Sequence, residues 1–303
     1  MAREAMVTRA RDLYVFAAAN PRDACLVDCG DGLEFFYIGV DAEQRLLLDA
    51  VYGMLTLRNG VPIGYALFSA LWRSSEVAYN VFESFRGGES AWGYGRLLAT
   101  IRAMFTVDTF TIDPYQLGHH NDEGLDSGAW WFYYKLGFRP WDPGIARLAR
   151  SEARKAAARR RYRSGDATLR KLVGSNLFLQ VGPPRRDVIG AIPVGAIGLA
   201  VTDYVNRRFG EDREQATAVL ADEAARRLNV RGWRRWNAGE RLFWERWAPL
   251  VALMPGLDSW TPDEKRELAA IIRAKGGRRE SDFVARFDAH PRVGAALVSL
   301  ARR

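Results

Sequence analysis

Residues 126–138 read Asp-Ser-Gly-Ala-Trp-Trp-Phe-Tyr-Tyr-Lys-Leu-Gly-Phe and combine a helix start, a helix stop and a run of aromatic side chains between them. The carboxylate of Asp126 is suited to accept hydrogen bonds from the free amides at a helix start. Gly137 can adopt the left-handed backbone that ends a helix. The segment therefore predicts a helix over residues 127–136, with Tyr133 one turn before the glycine stop.

The chain before this helix predicts an antiparallel meander. Its apolar runs are separated by turn residues and occupy residues 47–57, 61–72 and 77–85. Asn59 and Gly60 lie between the first two runs, and this pair favours a two-residue hairpin because both residues tolerate positive φ. Weaker patterns predict two earlier strands and a helix, at residues 26–28, 34–40 and 8–19 respectively.

Two further elements are predicted between the meander and the aromatic helix. Apolar residues recur at helical spacing over residues 93–104, and a β-rich run follows at residues 106–114. Because a helical connection allows two strands to run in parallel, this order predicts one parallel pair in an otherwise antiparallel sheet. The predicted fold class is α+β, a mixed and mostly antiparallel sheet that is flanked by helices.

The second half of the chain has a different composition. Ala, Arg and Lys dominate residues 146–172, which predict one helix with a solvated basic face, and a short strand is predicted at residues 176–181. Six helices are predicted beyond a Gly-Pro-Pro boundary, at residues 195–209, 213–228, 239–253, 262–275, 281–288 and 291–301. The predicted organisation is an α+β domain over residues 1–182, with the basic helix inserted before its last strand, and an all-α domain over residues 183–303.

Charge is distributed unevenly along the chain. Residues 1–146 hold 12 Lys and Arg against 18 Asp and Glu, a net of −6; residues 147–171 hold 10 against 2, a net of +8; residues 172–303 hold 22 against 16, a net of +6. An acidic first half attracts cationic amines, whereas the basic remainder suits an acidic protein or a polyanion. No secretory signal or membrane-spanning stretch is recognisable, so we expect a cytoplasmic protein with no membrane partner.

The motif Trp92-Gly93-Tyr94-Gly95-Arg96 lies at the predicted start of the helix that follows the meander. A helix start offers unpaired amides and the positive end of the helix dipole, and glycine lets the backbone approach an anion closely. The motif therefore predicts an anion site. The alternative interpretation is an ordinary turn from a strand into a helix.

Together these two segments resemble the GCN5-related N-acetyltransferase (GNAT) superfamily. Ala129, Tyr133, Gly137 and Phe138 fall in register with the pattern Asn-x-x-Ala-x-x-x-Tyr-x-x-x-Gly-Phe of the last conserved helix of that family. The Gly-x-Gly motif comes before this helix, in the order that the family shows. The resemblance covers residues 46–141 and leaves the C-terminal helices unexplained.

The resemblance implies direct transfer of an acyl group, by default acetyl, from acyl-coenzyme A to an amine. In that family the pantetheine arm lies between two parallel strands that splay apart, here predicted at residues 77–85 and 106–114, and a tyrosine protonates the departing thiolate. Tyr133 matches this tyrosine. The residues that the resemblance places at the coenzyme are Phe82, Trp92, Gly93, Tyr94, Gly95, Arg96 and Asp126.

The amine must lose a proton before it attacks the thioester, so a carboxylate or a histidine is expected as general base. Glu76 is closest to the usual position of this carboxylate in the family. Further candidates lie on the neighbouring strands and loop, namely Glu83, Asp113, His119, His120 and Glu123. No metal is expected, because the adjoining histidines lack further ligands and because Cys25 and Cys29 are spaced for neither a zinc knuckle nor a redox motif.

A second interpretation is a protein that binds or senses coenzyme A without catalysis. Ser90 stands where the family usually has Arg or Gln, and a fold alone does not establish an activity. The basic run Arg159, Arg160, Arg161 and Arg163 is suited to contact an acidic protein or the phosphates of RNA, with Tyr162 stacking on a base. The alternative interpretation of this run is a solvated helix face.

Overall fold

A computed structural model describes residues 14–85 and 90–303 of the chain. This part of the chain forms one eight-stranded sheet in the order β1-β2-β3-β4-β5-β6-β8-β7, in which only β5 and β6 pair in parallel. Its strands are β1 Ala19–Asp28, β2 Leu33–Val40, β3 Ala50–Arg58, β4 Val61–Leu71, β5 Ser74–Val81, β6 Thr109–Ile112, β7 Arg139–Pro140 and β8 Leu177–Gln180. The prediction of an α+β fold with a mostly antiparallel sheet is confirmed.

Thirteen α-helices accompany the sheet in the described residues. They are α1 Tyr14–Ala17, α2 Ser90–Phe105, α3 Pro114–Leu117, α4 Asp122–Asp126, α5 Ala129–Lys135, α6 Pro143–Ala158, α7 Asp166–Leu172, α8 Val194–Phe209, α9 Arg213–Arg227, α10 Ala238–Leu253, α11 Pro262–Lys275, α12 Glu280–Ala289 and α13 Val293–Ala301. The helix predicted over residues 8–19 lies partly outside the described residues, and β1 already begins at Ala19. The six predicted C-terminal helices are all present, with ends that differ by at most about two residues, as is usual at frayed helix ends.

The two faces of the sheet carry different layers. Alternate strand residues point to opposite faces, and the rings of Tyr52 and Phe68 lie on the face covered by α2, with their centroids 4.9 and 5.5 Å from that of Phe105. The other face carries a smaller apolar cluster that includes Phe16 of α1. Asn59 and Gly60 both have positive φ, 50° and 76°, which confirms the predicted hairpin between β3 and β4.

The parallel pair between β5 and β6 is short. It contains only the partners Ser74 with Thr109, Ser75 with Phe110 and Glu76 with Thr111. β6 then ends, because Asp113 accepts a hydrogen bond from the Tyr115 amide at 2.8 Å and caps α3. β5 continues to Val81 with β4 as its neighbouring strand. A gap therefore opens beside the second half of β5.

The aromatic helix begins later than predicted, and Asp126 does not cap it. Asn121 instead caps a separate short helix by accepting from the Gly124 amide at 3.3 Å, and Asp126 is the exposed last residue of that helix. The aromatic helix starts after Gly128, whose left-handed backbone (φ 69°) redirects the chain. Gly137 has a φ of 103° and ends the helix as predicted.

The basic segment forms two helices, not the single helix predicted over residues 146–172. The buried carboxylate of Glu152 on α6 accepts hydrogen bonds from Tyr162 at 2.7 Å and from Ser164 at 2.6 Å. These bonds draw the chain back onto α6 after Ala158, so that α7 is a separate helix. The strand β7 was not predicted, because it consists of only two residues, which pair with β8 at the edge of the sheet.

A buried ionic cluster joins the C-terminal helices to the sheet. Lys275 and Glu280 are both fully buried and form an ion pair. The Lys275 ammonium also donates to the carbonyls of Leu48 at 3.0 Å and Asp49 at 2.8 Å, just before β3. The Arg45 guanidinium donates to the Lys275 carbonyl at 2.7 Å. Burial lowers the pKa of Lys275 and raises the pKa of Glu280, so each charge depends on the other.

We expect Glu280→Gln to destabilise the protein by about 3–5 kcal/mol, because it leaves the Lys275 ammonium buried without its counter-ion. Chemical denaturation at neutral pH measures this change. Glu267→Gln is the matched control, since Glu267 pairs with Arg286 on the surface at 3.3 Å and such exposed pairs contribute about 1 kcal/mol or less. Equal losses in the two variants would show that the buried pair has no special role.

Candidate functional site

A cavity of about 490 Å³ lies in the gap beside the second half of β5. We call it the strand-gap cavity. Its walls are the end of β5, the first residues of α2 and the segment that contains α3, α4 and α5. The residues that line it include Tyr79, Asn80, Ser90 and Tyr133. The cavity exists because β6 stops at Ile112 and its chain turns away into α3.

A second cavity of about 390 Å³ lies on the other side of the β5 end, below the β3–β4 hairpin. We call it the hairpin cavity. It shares Tyr79, Val81 and Ser90 with the strand-gap cavity, and its other walls include Trp92 and Gly93 of α2. The two cavities therefore meet at the start of α2. A ligand that crosses this point contacts the first turn of the helix.

Tyr133 lines the strand-gap cavity from α5 and is 3% exposed. Its ring contacts those of Tyr94 and Phe138, with centroids 5.5 and 5.6 Å apart. The hydroxyl has no hydrogen-bond partner among the described residues. Burial, with a contribution from nearby Tyr79, raises the pKa of Tyr133, so the phenol stays protonated at neutral pH. This hydroxyl is therefore a proton donor available to a ligand in the cavity.

Tyr94 lies behind this tyrosine and is fully buried. Its ring centroid is 5.1 Å from that of Tyr79 and 5.5 Å from that of Tyr133. Its hydroxyl finds no partner among the described residues. Tyr94 therefore fixes the position of the two neighbouring tyrosines by packing, and it lines neither cavity.

Asn80 was not predicted as a site residue. Its buried Oδ1 atom has no hydrogen-bond partner among the described residues, and the residue lines the strand-gap cavity. A buried carbonyl oxygen without a partner is costly, so a donor from a ligand would stabilise it. The sequence signal that could have found Asn80 is a polar residue near the end of an otherwise apolar strand, next to the predicted gap.

The glycine motif lies inside α2 and not at its start. The helix begins at Ser90, so Gly93 and Gly95 are its fourth and sixth residues. The first turn of the helix thus lies at residues 90–93, three positions earlier than the sequence predicted. Gly93 is buried and lines the hairpin cavity, whereas Gly95 and Arg96 are exposed on the helix surface. The Arg96 guanidinium lies 5.4 Å from the ring centre of Trp92.

Phe82 and Asp126, both expected at the coenzyme, lie away from the two cavities. Phe82 belongs to the apolar cluster on the opposite face of the sheet, where its ring centroid is 6.1 Å from that of Tyr65. Asp126 is exposed at the end of α4. The structure therefore brings together Tyr133, Gly93 and Trp92 at the joined cavities, and it places these two residues elsewhere.

Glu76 lies at the closed end of the gap, opposite Thr111 in the last parallel pair. Strand alternation directs its side chain to the face opposite to Tyr79, and the residue does not line the strand-gap cavity. Burial, with smaller contributions from Asp113 and Asp49, raises the pKa of Glu76 to about 7. This carboxyl can therefore accept or release a proton near neutral pH.

The other candidate bases differ in position. Glu123 lines the strand-gap cavity from α4, and Asp113 is used as the cap of α3. His119 and His120 are exposed in the following loop, with ring centroids 4.1 Å apart. The side chain of Glu83 lies outside the described part of the structure. Glu76 remains the candidate whose environment adjusts its pKa toward the working range of a base.

Within the described residues there is no cluster of three or more His, Cys, Asp or Glu side chains able to hold a metal ion. No helix in residues 14–85 and 90–303 is long and apolar enough to cross a membrane. No protein-family model, curated protein or solved structure matches this chain.

The raised pKa of Glu76 predicts a pH-dependent stability. The Glu76 carboxyl of the folded protein keeps its proton up to about pH 7. The stability that this protonated carboxyl contributes is fully present below the ordinary pKa of a glutamate and is lost as the pH rises through 7. We compare the free energy of unfolding of Glu76→Gln with that of the wild type at each pH. The value for the variant minus that for the wild type should be about 1–3 kcal/mol larger at pH 8 than at pH 4. Urea denaturation at the two pH values measures this, with exposed Glu214→Gln as control. A difference that does not change with pH would contradict the assigned environment.

Proposed function

We propose that the protein is an acyl-coenzyme A-dependent N-acyltransferase with a GNAT-like fold. The observation that carries the proposal is the strand-gap cavity, which opens where a parallel strand pair ends and has Tyr133 in its wall. The GNAT resemblance of the sequence implied a ligand in such a gap and a tyrosine beside it. The resemblance and the geometry thus support the same site from different directions.

The residues around the cavity suit the pantetheine arm of a coenzyme A thioester. Residues 77–80 of β5 pair with no described strand on the gap side, so their backbone groups can pair with the amides of a ligand. The unpartnered Oδ1 atom of Asn80 can accept a hydrogen bond from an amide N–H. The positive end of the α2 dipole and the amides of residues 91–93 favour a pyrophosphate where the two cavities meet.

Each catalytic residue has a defined task in this proposal. The thioester supplies an activated acyl group, and the backbone of β5 orients its carbonyl. The Glu76 carboxylate takes a proton from the attacking ammonium, directly or through water, because its pKa of about 7 suits that exchange. The Tyr133 hydroxyl donates a proton to the thiolate that leaves. The acyl group is acetyl by resemblance, and the acceptor is an amine.

A second candidate function is coenzyme A binding without catalysis. One observation favours it: Glu76 and Tyr133 are on different sides of β5, and the strand-gap cavity is not lined by Glu76. A protein that binds the coenzyme at α2 and β5 but does not bring an amine to Glu76 would act as a sensor or a scaffold. The two functions differ in whether acyl transfer follows binding.

The Tyr133→Phe variant separates these functions. The substitution removes a hydroxyl that has no partner in the described residues, so we expect an unchanged fold and an affinity for acetyl-coenzyme A within about twofold of the wild type. Loss of the proton donor should lower kcat by about 100-fold or more, measured by release of free coenzyme A in the presence of a panel of amines.

Tyr134→Phe is the matched control for this experiment. The ring of Tyr134 stacks on Trp130 at 5.0 Å and lies under Arg139, outside the strand-gap cavity. It should therefore retain the wild-type rate. Equal rates in the two variants would contradict the role of Tyr133. Tight binding of acetyl-coenzyme A by the wild type without transfer to any amine would favour the sensor.

A further inference from the structure

A strongly basic surface lies on α6 and on the loop that follows it. Arg147, Arg150 and Arg154 share the outer face of α6, because they are spaced by about one helical turn. The loop adds four exposed arginines, which are Arg159, Arg160, Arg161 and Arg163. We call these seven arginines the basic surface. The opposite side of α6 carries buried Ala149 and Glu152 and packs against the protein.

The arginines of the basic surface form no ion pair with any described residue. Several exposed arginines elsewhere in the described residues are paired. The C-terminal helices contain such pairs between Arg208 and Glu223, Arg234 and Asp222, and Arg273 and Glu240. Seven adjacent and uncompensated positive charges repel one another, so the basic surface gains free energy from a partner that neutralises them.

The loop of the basic surface is held in place by Glu152. Lys155, Tyr162 and Ser164 donate hydrogen bonds to its buried carboxylate at 2.7, 2.7 and 2.6 Å. These bonds lower the pKa of Glu152 to about 2, so the carboxylate remains charged at neutral pH. The phenol of Tyr162 is therefore turned toward α6 and is not free to stack on a base, contrary to the sequence expectation. The surface presents charge alone.

We propose that the basic surface binds the phosphate backbone of double-stranded RNA. Arg147 and Arg154 are about 10 Å apart along the axis of α6, and the loop extends the line of charge. Arginine is suited to bidentate contacts with phosphate oxygens. This inference does not depend on acyl transfer.

Two observations favour RNA over other anionic partners. No large apolar side chain of residues 143–172 is exposed, so α6 lacks the anchor of a helix that binds a lipid surface. A helix that reads base edges in the major groove of B-form DNA combines Arg with side chains such as Asn or Gln, but α6 contains no Asn or Gln. The major groove of A-form RNA is deep and narrow, and its duplex is recognised mainly through shape and backbone contacts.

The helix that follows the basic surface is next to the candidate site. Arg170 of α7 lies 3.8 Å from Asp122, and Asn121 before it lines the strand-gap cavity. α4 forms the rim of the cavity on this side. The acidic residues Asp122, Glu123 and Asp126 on that rim repel phosphate and limit the contact to α6 and its loop.

The test is fluorescence anisotropy of the full chain with a labelled RNA hairpin of about 20 base pairs, in 50–200 mM KCl. We expect the combined variant R159Q/R160Q/R161Q/R163Q to bind at least about 10-fold more weakly than the wild type at 100 mM KCl. The slope of log affinity against log salt should decrease by about 3–4, since each phosphate contact contributes about 0.9. The control variant R207Q/R226Q/R231Q/R303Q changes the same charge at exposed arginines elsewhere and should retain wild-type binding.

Other probes decide whether the partner class is correct. A DNA duplex of the same sequence, a polyglutamate peptide and vesicles with anionic lipids are compared at the same salt concentrations. Weaker binding of all three supports the proposal. Equal or tighter binding of any of them overturns the assignment to RNA. An unchanged affinity of the loop variant, or no RNA binding by the wild type at 50 mM KCl, overturns the proposal itself.

Discussion

The candidate site depends on the early end of the parallel pairing between β5 and β6. After three paired residues, Asp113 caps a short helix and Pro114 lacks the amide that a continuing strand would need. β5 therefore extends alone on that side, and the space beside it becomes a cavity. α2 begins at one end of this space and α5 supplies Tyr133 in its wall. A longer β6 would close the gap and bury both features.

The C-terminal helices stabilise the sheet at the end away from the cavities. Lys275, Glu280 and Arg45 form a buried polar cluster where α11 and α12 meet the start of β3, and Trp72 at the end of β4 packs on Phe287. Such a cluster fixes one arrangement of the helices, since any other would leave a charge buried alone. The end of the sheet that contacts α11 and α12 and the end that contains the cavities thus have separate roles. The helices hold the strands, and the gap remains free for a ligand.

The sequence predicted the elements with strong local signals and missed those decided by tertiary contacts. Asn59-Gly60 and Gly137 are local signals, and each is confirmed. The split of the basic helix depends on the carboxylate of Glu152, which bonds residues ten and twelve positions away. Asp126 was expected to cap the aromatic helix, but Asn121 and Gly128 start two helices in its place. Asn80 was missed because its significance lies in burial without a partner, which no sequence pattern reports.

Thermal melting with and without saturating acetyl-coenzyme A tests the central claim, that a coenzyme A thioester binds in the strand gap and at the start of α2. In Gly93→Asp, the added Cβ has room, since the nearest atom to it would be the Tyr79 hydroxyl at 3.8 Å, and the carboxylate repels a pyrophosphate. Ala99→Asp on the exposed part of α2 is the control. If the thioester binds there, the Tm rises by roughly several degrees in the wild type and in Ala99→Asp, and does not rise in Gly93→Asp. No rise in the wild type, or an equal rise in all three proteins, would contradict binding at this position.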